Sequence, residues 1–460
     1  MDLLGGTTII LIACLALLVA WKAVGGEKKK NLPPGPTPLP FIGNLLQLSA
    51  TNGIEHMKEL SKKYGPIFTV YFGSDQMVIL YGYDLVKKVL VDHGDNFLDR
   101  GSFPSSDKTN KGLGVIMSNG ERWQQIRRFS LTTLRNFGMG KKSIEERIQE
   151  EAEYLMKELW ATKGQPFNPA HLFSKATGNI ISHILLGKRF DYQDEGYIRV
   201  LQKLIDGFRL ESSVAGQLYN IFPKLMDYLP GPHKAFFKNM FGIQAFIAQK
   251  VQEHERTLGP MSIPQDFVDA FLIKMQQEKN NPKTEFTREN LMMTIYDLFI
   301  AGTETTSTSL RYILMVLLEH PAVQGQRFID LIPLGFVRLV KRDFEIEGFT
   351  IPKGATVYPI LSSALHDPKQ YKNPYQFDPN HFLDENGRYK KNGADMPFSA
   401  GKRSCLGEGL ARMQLFLYVT NILQNFHLKH PPGVTKVDLT PEVSGFSNVP
   451  YQVEFCFSPR

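Results

Sequence analysis

The sequence predicts a mainly α-helical fold with a small β region, preceded by one N-terminal transmembrane helix. Apolar residues make up 42% and charged residues 22% of the 460 residues, which is globular composition and excludes a largely disordered chain. Long segments with helical periodicity dominate the body, whereas alternating apolar runs are few and short. An uncharged, apolar stretch of nineteen residues covers positions 3–21, which is enough to cross a bilayer as a helix.

This first segment predicts a membrane anchor at residues 1–24. A cleaved signal peptide is the alternative, but Asp2 stands where a basic n-region is expected and the apolar run is longer than a usual h-region. Positive charge follows the stretch at Lys22 and at 28–30, so the positive-inside rule places the rest of the chain in the cytosol. The scarcity of cysteine and the absence of an Asn-x-Ser/Thr site agree with a single-pass anchor and a cytosolic body.

Residues 25–44 form a basic and proline-rich hinge. Five prolines in LPPGPTPLPFIGN forbid a helix and favour a stiff, extended segment. A linker or an SH3-type ligand is the alternative, but the position between an anchor and a globular body favours a rigid spacer. The remainder, 45–460, contains no second linker and no internal repeat, so it is predicted to be one large domain.

Periodicity then predicts the elements of this domain in chain order. A helix over 53–64 comes first, followed by a hairpin with strands at 67–72 and 76–80. Further helices are predicted at 120–134, 142–163, 167–186, 197–210, 237–256 and 265–277. The longest helix runs from 288 to about 319, with Thr287 as its N-cap and Pro321 just beyond its end. Strands at 344–346 and 356–360, an irregular segment at 366–393, a helix at 406–426 and a strand region at 439–457 follow.

Cysteine content and charge exclude several functional classes. Three cysteines, Cys14, Cys405 and Cys456, cannot form a disulfide scaffold, and no CxxC pair indicates a structural zinc site. The net charge of +7 is small for this length and is more typical of a solvated basic surface than of a nucleic-acid interface, so no nucleic-acid partner is predicted.

The string FSAGKRSCLG at 398–407 carries the strongest chemical signal. It places Cys405 at the start of the predicted helix 406–426, where free backbone N–H groups favour a thiolate, which is a soft ligand for iron. Gly407 lets a flat ligand approach the backbone closely. A buried structural cysteine is the usual alternative for a lone cysteine, but five fixed positions within ten residues argue against it.

Those five positions, Phe398, Gly401, Arg403, Cys405 and Gly407, match the pattern F-x-x-G-x-R-x-C-x-G. The chain thereby resembles the cytochrome P450 haem-thiolate monooxygenases, specifically the microsomal, family 2-like kind, over the anchor, the hinge and almost the whole body. The resemblance implies the cytochrome P450 fold and a haem b (iron protoporphyrin IX) cofactor, bound at these five positions, with the Cys405 thiolate as the axial iron ligand.

A second pattern lies in the middle of the longest predicted helix, as AGTETT at 301–306. Taken alone, it would be a Thr-rich stripe packed in the core. The resemblance implies instead that it covers the distal haem face, with Thr305 hydrogen-bonded to dioxygen, Glu304 relaying protons, both as catalytic residues, and Gly302 making room for O₂ or substrate.

Cations that would bind the haem propionates form a third set. Trp123 and Arg127 are four residues apart and share one helix face, although a Trp packed against a surface Arg is the alternative reading. By resemblance both reach the propionates, as do Arg100, Arg338 and Arg403, because guanidinium groups suit buried carboxylates.

The resemblance also implies an apolar small-molecule substrate, either a xenobiotic, a steroid or a fatty acid. It further implies O₂, an NADPH-dependent reductase as electron donor with cytochrome b5 as a further partner, membrane lipid around the anchor, and location in the endoplasmic reticulum membrane. The pocket predicted by resemblance, whose apolar side chains any core could also supply, consists of Phe103, Phe299, Ile300, Ala301, Leu334 and Phe446.

The chain departs from the family's pattern near residue 325. The family has two further helices after its long helix, and the second carries a Glu-x-x-Arg pair. Here the six steps from Pro321 to Arg327 span at most about 21 Å, and Gln324 stands where the Glu is expected. We therefore predict an internal deletion near 325, of splice or gene-model origin, which removes a helix–loop–helix segment.

Two functions follow. The first is a working monooxygenase that inserts one oxygen atom into an apolar molecule. The alternative is a catalytically impaired or haem-deficient variant that acts at most as a membrane-anchored partner-binding protein. A third, non-oxygenase haem chemistry such as peroxide rearrangement, is disfavoured by the presence of Glu304 and Thr305.

Overall fold

The computed structural model describes residues 31–48, 53–139, 142–259, 263–320, 330–375, 378–388 and 390–460, and these are mainly helical with a small β region, as predicted. The helices are α1 (Gly53–Tyr64), α2 (Tyr83–Lys87), α3 (Pro104–Asn110), α4 (Gly120–Asn136), α5 (Lys142–Ala161), α6 (Ala170–Leu186), α7 (Glu195–Ser212), α8 (Val214–Ile221), α9 (Pro223–Met226), α10 (Pro232–Thr257), α11 (Phe267–Gln277), α12 (Arg288–Glu319), α13 (Leu361–Leu365) and α14 (Glu408–Asn425).

The strands form one larger sheet and three small ones. They are β1 (Ile67–Phe72), β2 (Asp75–Leu80), β3 (Asp99–Arg100), β4 (Pro166–Phe167), β5 (Arg338–Leu339), β6 (Phe344–Ile346), β7 (Phe349–Ile351), β8 (Thr356–Pro359), β9 (Phe426–Lys429), β10 (Pro441–Ser444), β11 (Asn448–Pro450) and β12 (Phe455–Pro459). The larger sheet has the order β1-β2-β8-β5-β3, the next β4-β12-β9, and the two-stranded pairs are β10-β11 and β6-β7. Among the strand pairs of the described ranges, β2–β8 alone is parallel.

Helix α12 is the centre of the fold and has the predicted bounds. Its N-cap is Thr287, whose hydroxyl accepts the backbone N–H of Asn290 at 3.2 Å. The helix packs so closely against α6 that a Cβ at Gly302 would lie 2.9 Å from the Ile181 side chain. Gly302 therefore permits this helix crossing, which adds to the role predicted for it beside the substrate.

The proline-rich hinge is hydrogen-bonded to strand β1 near its middle. The Thr69 backbone N–H of β1 donates to the Pro34 carbonyl and the Thr69 hydroxyl donates to the Pro33 carbonyl, both at 2.8 Å. Across the described ranges, no helix has the length and apolar character that a bilayer span requires. The anchor predicted at 1–24 lies outside those ranges.

The last long helix begins later than predicted. Helix α14 starts at Glu408 instead of residue 406, because Leu406 and Gly407 form a turn. Cys405 therefore lies three residues before the helix, and its backbone N–H donates to the Phe398 carbonyl at 2.9 Å. Helices α2, α3, α8, α9 and α13 were not predicted, because four to eight residues are too few to establish a period.

An ion pair between α10 and α11 predicts a pH dependence of stability. His254 Nε2 lies 2.8 Å from Asp266 Oδ2 and its Nδ1 lies 2.8 Å from the Lys250 carbonyl, so both ring nitrogens face acceptors. The hydrogen bond to Asp266 raises the His254 pKa from 6.5 to about 9. The stabilisation is therefore complete below pH 6.5 and is lost as the pH rises through about 9.

We expect the His254→Gln variant to unfold at lower urea concentration than the parent protein at about pH 6, a loss on the order of 1–2 kcal/mol after allowance for solvent screening. At about pH 10 the two proteins should unfold at the same urea concentration, because the His254 side chain is then a neutral imidazole in both the folded and the unfolded parent protein. A difference of the same size at both pH values would show that His254 contributes packing rather than charge.

Candidate active site

A cavity of about 1080 Å³ lies between α12, the Cys405 loop, α7 and the end of β3. It is lined mainly by apolar side chains, so it suits an apolar ligand. Most of the predicted site residues meet at its wall: Arg100, Phe103, Arg127, Ile300, Ala301, Thr305, Phe398, Arg403, Cys405, Gly407 and Phe446.

The loop that presents Cys405 depends on Gly401. This residue has a φ of +74°, and a Cβ there would lie 1.8 Å from the Leu90 carbonyl oxygen. A short 3₁₀ turn follows at Gly401–Arg403, and the Ser404 backbone N–H donates to the Gly401 carbonyl at 3.0 Å. The Cys405 side chain is consequently exposed to the cavity that it lines.

At Gly407 an added Cβ would meet no protein atom within 4 Å. Because Gly407 lines the cavity, its missing side chain leaves the floor beside Cys405 open to a flat ligand.

The electrostatics of the Cys405 thiol differ from the prediction. Burial raises its pKa above the usual value, and the Glu408 carboxylate acts in the same direction. Backbone N–H groups of Gly407 and Glu408, together with Arg127, favour the thiolate but do not outweigh burial. A helix start alone therefore does not ionise this thiol, whereas coordination to a metal ion deprotonates a cysteine outright.

Buried N–H donors without partners lie beside the cavity. Arg100 and Arg338 are directly paired across β3 and β5. In the described part of the chain, Arg100 Nη1, Arg338 Nε and Nη1, and Trp123 Nε1 are buried and have no hydrogen-bond partner. Because an unpaired buried donor costs free energy, these groups indicate a ligand that carries hydrogen-bond acceptors.

The charge around these donors indicates that the ligand is an anion. Burial lowers the pKa of the Arg100 guanidinium well below its usual value. It also lowers the pKa of Arg338 to about 10 and that of Arg403 to about 9. The positive charge of Arg338 lowers the pKa of Arg100 and Arg403 further. Two carboxylates, such as the propionates of a haem, would compensate these like charges and accept the free N–H groups.

Three of the predicted cations already have protein partners, since Arg100 Nε donates to the Ile116 carbonyl at 3.1 Å while Arg403 and Arg127 also bind carbonyls. Arg403 donates to the carbonyls of Leu98 at 2.9 Å and Ser118 at 2.6 Å, and its guanidinium lies 4.0 Å from the centre of the Trp123 ring. Arg127 donates to the Ser404 carbonyl at 2.6 Å. These two residues therefore hold the loop in place, and the free donors belong to Arg100, Arg338 and Trp123.

On the opposite wall, Thr305 and Glu304 take different positions. Thr305 lines the cavity and its hydroxyl donates to the Ala301 carbonyl at 2.5 Å. Glu304 does not line the cavity, because one residue turns a helix by about 100°. Its carboxylate accepts hydroxyls from Ser174 at 3.0 Å and Thr308 at 2.9 Å, and burial raises its pKa.

Of the six residues predicted for the substrate pocket, four line the cavity and two do not. Phe103, Ile300, Ala301 and Phe446 line the cavity, whereas Phe299 and Leu334 do not. Phe299 is 1% exposed and packs in the main core on another face of α12. Leu334 packs against the separate apolar cluster that contains Phe68, Ile79 and Ile360.

Sequence reasoning missed four carboxyl groups in the cavity wall, Glu211, Asp297, Asp378 and Asp395. Asp297 accepts the backbone N–H groups of Val115 at 2.7 Å and Ile116 at 2.9 Å and the Asn110 side chain at 3.0 Å. Its position four residues before Ala301 on the same helix face could have revealed it. Glu211 gave no signal, because only the packing of α7 brings it to the cavity.

The cavity also extends along α14, away from the Thr305 wall. Leu415, Val419 and Leu423 line it, and Phe416 lines it while 61% exposed. Another part of the α14 surface, which includes Tyr418, packs against α12 and α5. Phe416 is largely exposed, so the described structure leaves apolar surface of α14 open on this side.

Comparison with known proteins agrees with this geometry. The family model described as Cytochrome P450 matches the chain in two segments, residues 33–326 and 325–457. The chain is 45% identical to cytochrome P450 2H2 of Gallus gallus over 496 positions, which cover 100% of both chains. It is 46% identical to cytochrome P450 2C6 of Rattus norvegicus, covering 98% of both, and 44% identical to cytochrome P450 2C8 of Homo sapiens, covering 98% of this chain and 99% of the relative.

These alignments are longer than the chain itself. The alignment to the Gallus gallus protein has 496 positions and the chain has 460 residues, so about 36 positions of the relative have no counterpart here. The two segments that match the family model meet at residues 325–326. These residues belong to the range 321–329, which lies outside the described residues.

Proposed function

The chain belongs to the cytochrome P450 family of haem-thiolate monooxygenases, and we propose that it oxidises apolar small molecules of the xenobiotic, steroid or fatty-acid classes. One observation carries this proposal. A single apolar cavity brings the Cys405 thiol, the Thr305 hydroxyl and the aromatic wall of Phe103 and Phe446 together. A substrate in contact with this aromatic wall would therefore share the cavity with the proposed iron ligand Cys405 and with Thr305, whose proposed role is a hydrogen bond to dioxygen.

The residues present fit a haem. Cys405 would supply the thiolate ligand, Gly407 would leave room for the flat ring, and the free donors of Arg100, Arg338 and Trp123 would bind the two propionates. When bound, the haem supplies the activation of O₂ and the insertion of one oxygen atom into a C–H bond, while the second oxygen atom leaves as water.

The protein's own residues bind, orient and move protons. Apolar side chains exclude bulk water from the substrate. Protons would therefore reach the site through side-chain hydroxyl groups. Thr305 lines the cavity, and its hydroxyl donates to the Ala301 carbonyl. We propose Glu304, one residue before Thr305, as a proton donor, because burial raises its pKa; its described hydrogen bonds come from the Ser174 and Thr308 hydroxyls.

The reaction consumes two electrons and two protons for each O₂. NADPH supplies a hydride through a membrane-bound reductase, and the products are the hydroxylated substrate, water and NADP⁺. We propose this reductase as the main partner and cytochrome b5 as a second donor. We also propose that the anchor at 1–24 holds the protein on the cytosolic face of the endoplasmic reticulum, among membrane lipids.

Isotopically labelled dioxygen tests this function. Haem-containing protein, purified reductase and NADPH are incubated under labelled dioxygen with an alkoxycoumarin, a steroid or a medium-chain fatty acid. The masses of the products are then measured by mass spectrometry. We expect one labelled oxygen atom in the product, with no product when the reductase is omitted. Haem-containing, reducible protein that forms no labelled product from any of these probes would contradict the proposal.

One set of observations favours the second function, an impaired variant that lacks a helix–loop–helix segment near 325. The family model is interrupted at 325–326 and about 36 positions of a relative have no counterpart. The open apolar side of α14 at Phe416 is the kind of surface that two further helices would cover. These observations support the deletion, whose effect on haem binding is tested by the insertion described in the Discussion.

A further inference from the structure

A row of buried hydroxyl groups joins Glu304 to helix α6. The Ser174 hydroxyl of α6 donates to Glu304 Oε2 at 3.0 Å and lies 2.8 Å from the Ser307 hydroxyl of α12. The Thr308 hydroxyl donates to the other carboxyl oxygen, Oε1, at 2.9 Å. All four side chains are buried. Glu304 is therefore bound through hydroxyls within the α6–α12 interface, and it does not line the cavity.

This interface runs antiparallel. The Thr177 hydroxyl, three residues after Ser174 in α6, donates to the Thr303 carbonyl at 3.0 Å, and Thr303 precedes Ser307 by four residues in α12. Residues that come earlier in α6 consequently face residues that come later in α12. Continuing in this direction, the interface leads from Ser174 to the first turn of α6 and from Ser307 to the residues that follow it in α12.

His171 lies at the outer end of this row. It is three residues before Ser174, so the two side chains share one face of α6, and His171 is exposed. Partial burial lowers the pKa of His171 below 6.5, Lys175 and Arg311 act in the same direction, and Asp206 of α7 opposes them. An imidazole of this kind at the surface exchanges protons with water near neutral pH.

Arg311 of α12 links the two ends of the row electrostatically, because its charge acts on both His171 and Glu304. Its guanidinium donates to the Tyr451 carbonyl at 3.1 Å, which fixes its position. The exposed imidazole and the buried carboxyl group are therefore grouped around one fixed cation. Packing alone does not explain an acid here, because apolar side chains would join the helices without the cost of burying a carboxyl group.

We propose that His171 and Ser174 relay protons from solvent to Glu304, so that protons enter the protein at the outer end of the α6–α12 interface. The His171 imidazolium gives a proton to a water molecule that bridges one helical turn to Ser174 Oγ. Ser174 accepts a proton from this water as its own hydroxyl proton moves to Glu304 Oε2. His171 then recovers a proton from solvent, so each passage moves one proton and leaves both relay residues unchanged. This deepens the proposed monooxygenase function and rests on it, although the transfer to Glu304 does not require turnover.

Infrared spectroscopy of the full-length protein at about pH 5.5 tests the relay without substrate or NADPH. The C=O stretch of protonated Glu304 is the band that Glu304→Gln removes, and its shift after rapid mixing into D₂O gives the rate of proton exchange. We expect His171→Gln and Ser174→Ala each to slow this exchange about 10-fold, because each interrupts the only described row of hydroxyls that reaches Oε2.

A matched control is His183→Gln. This histidine lies in the same helix, but the charges that act on it are those of Arg147, Glu150 and Asp266. The exchange rate in this variant should equal that of the parent protein. Exchange that is as fast in His171→Gln and Ser174→Ala as in the parent protein, or equally slow in His183→Gln, would overturn the proposal. So would a spectrum from which Glu304→Gln removes no band, because Glu304 would then hold no proton at this pH.

A second readout uses turnover. In the parent protein the rate of product formation should fall as the pH rises through the pKa of His171, because the imidazolium is the proton donor. In His171→Gln this step should be absent and the rate lower, with the dissociation constant of the substrate unchanged.

The infrared result is independent of the proposed oxygenation. If His171→Gln slows exchange at Glu304 but no labelled oxygen enters any probe, the monooxygenase proposal fails and the proton relay stands. If labelled products form but exchange does not depend on His171 or Ser174, the relay fails and the monooxygenase proposal stands.

Discussion

Replacement of Arg338 by Met is expected to lower haem retention about 10- to 100-fold while leaving the haem-free protein as stable as before or more stable. Arg338 is buried with two donor atoms unpaired, so without an anion its charge is a cost to the fold. With a haem propionate in place, the same donors form charge-assisted hydrogen bonds, each worth about 1.5–3 kcal/mol. Retention is measured as the rate of haem transfer to an excess of apomyoglobin, and stability by urea unfolding of the haem-free protein.

Arg403→Met is the matched comparison. Arg403 donates to the carbonyls of Leu98 and Ser118, so its loss leaves buried acceptors unpaired and should lower the stability of the haem-free protein by about 2–4 kcal/mol. Opposite effects of the two variants on haem-free stability distinguish a ligand-binding arginine from a structural one. If Arg338→Met destabilises the haem-free protein as much as Arg403→Met, Arg338 is structural and the propionate assignment is wrong.

Insertion of a helix–loop–helix segment of about 36 residues near residue 325, with a Glu three residues before Arg327, is expected to raise haem content per chain several-fold. The length follows from the alignment to the Gallus gallus relative. The new helices would cover the open side of α14, and burial of each large apolar side chain there, such as Phe416, contributes about 1.5–3 kcal/mol. Haem content is measured as pyridine haemochrome per mole of purified protein.

The same insertion with Gln in place of that Glu is the matched control, because it restores the helices but not the charge pair. An intermediate haem content would divide the effect between packing and the ion pair. An insertion that leaves haem content unchanged, with the protein folded, would show that the chain needs no such segment and that the account of the deletion is wrong.

The sequence-based predictions succeeded where a local signal was strong. Helix α12 has its predicted bounds because Thr287 provides a capping hydroxyl and a long apolar period follows it. The fixed spacing from Phe398 to Gly407 singled out Cys405 as the proposed iron ligand, and the loop geometry explains one of its glycines, since Gly401 has a positive φ against the Leu90 carbonyl. These features depend on residues close together in the chain.

Predictions that depend on packing were less successful. Phe299 and Ile300 are adjacent and both apolar, yet only Ile300 faces the cavity, because the orientation of α12 is decided by its contact with α6. The thiol of Cys405 was expected to ionise readily, but burial outweighs the nearby N–H groups. Glu211 was missed entirely, since residues about a hundred positions apart must fold together before its contact with Ser105 exists.

The central claim is that Cys405 holds a haem iron through its thiolate in this chain as it stands. The direct measurement is the reduced, carbon-monoxide-bound absorption spectrum of the parent protein and of Cys405→Ala, each quantified in the same membranes. The account predicts the long-wavelength Soret band of a thiolate-ligated haem in the parent protein and its complete loss in the variant. Parent protein that is present and folded but shows no such band, or a band that persists in Cys405→Ala, would contradict it.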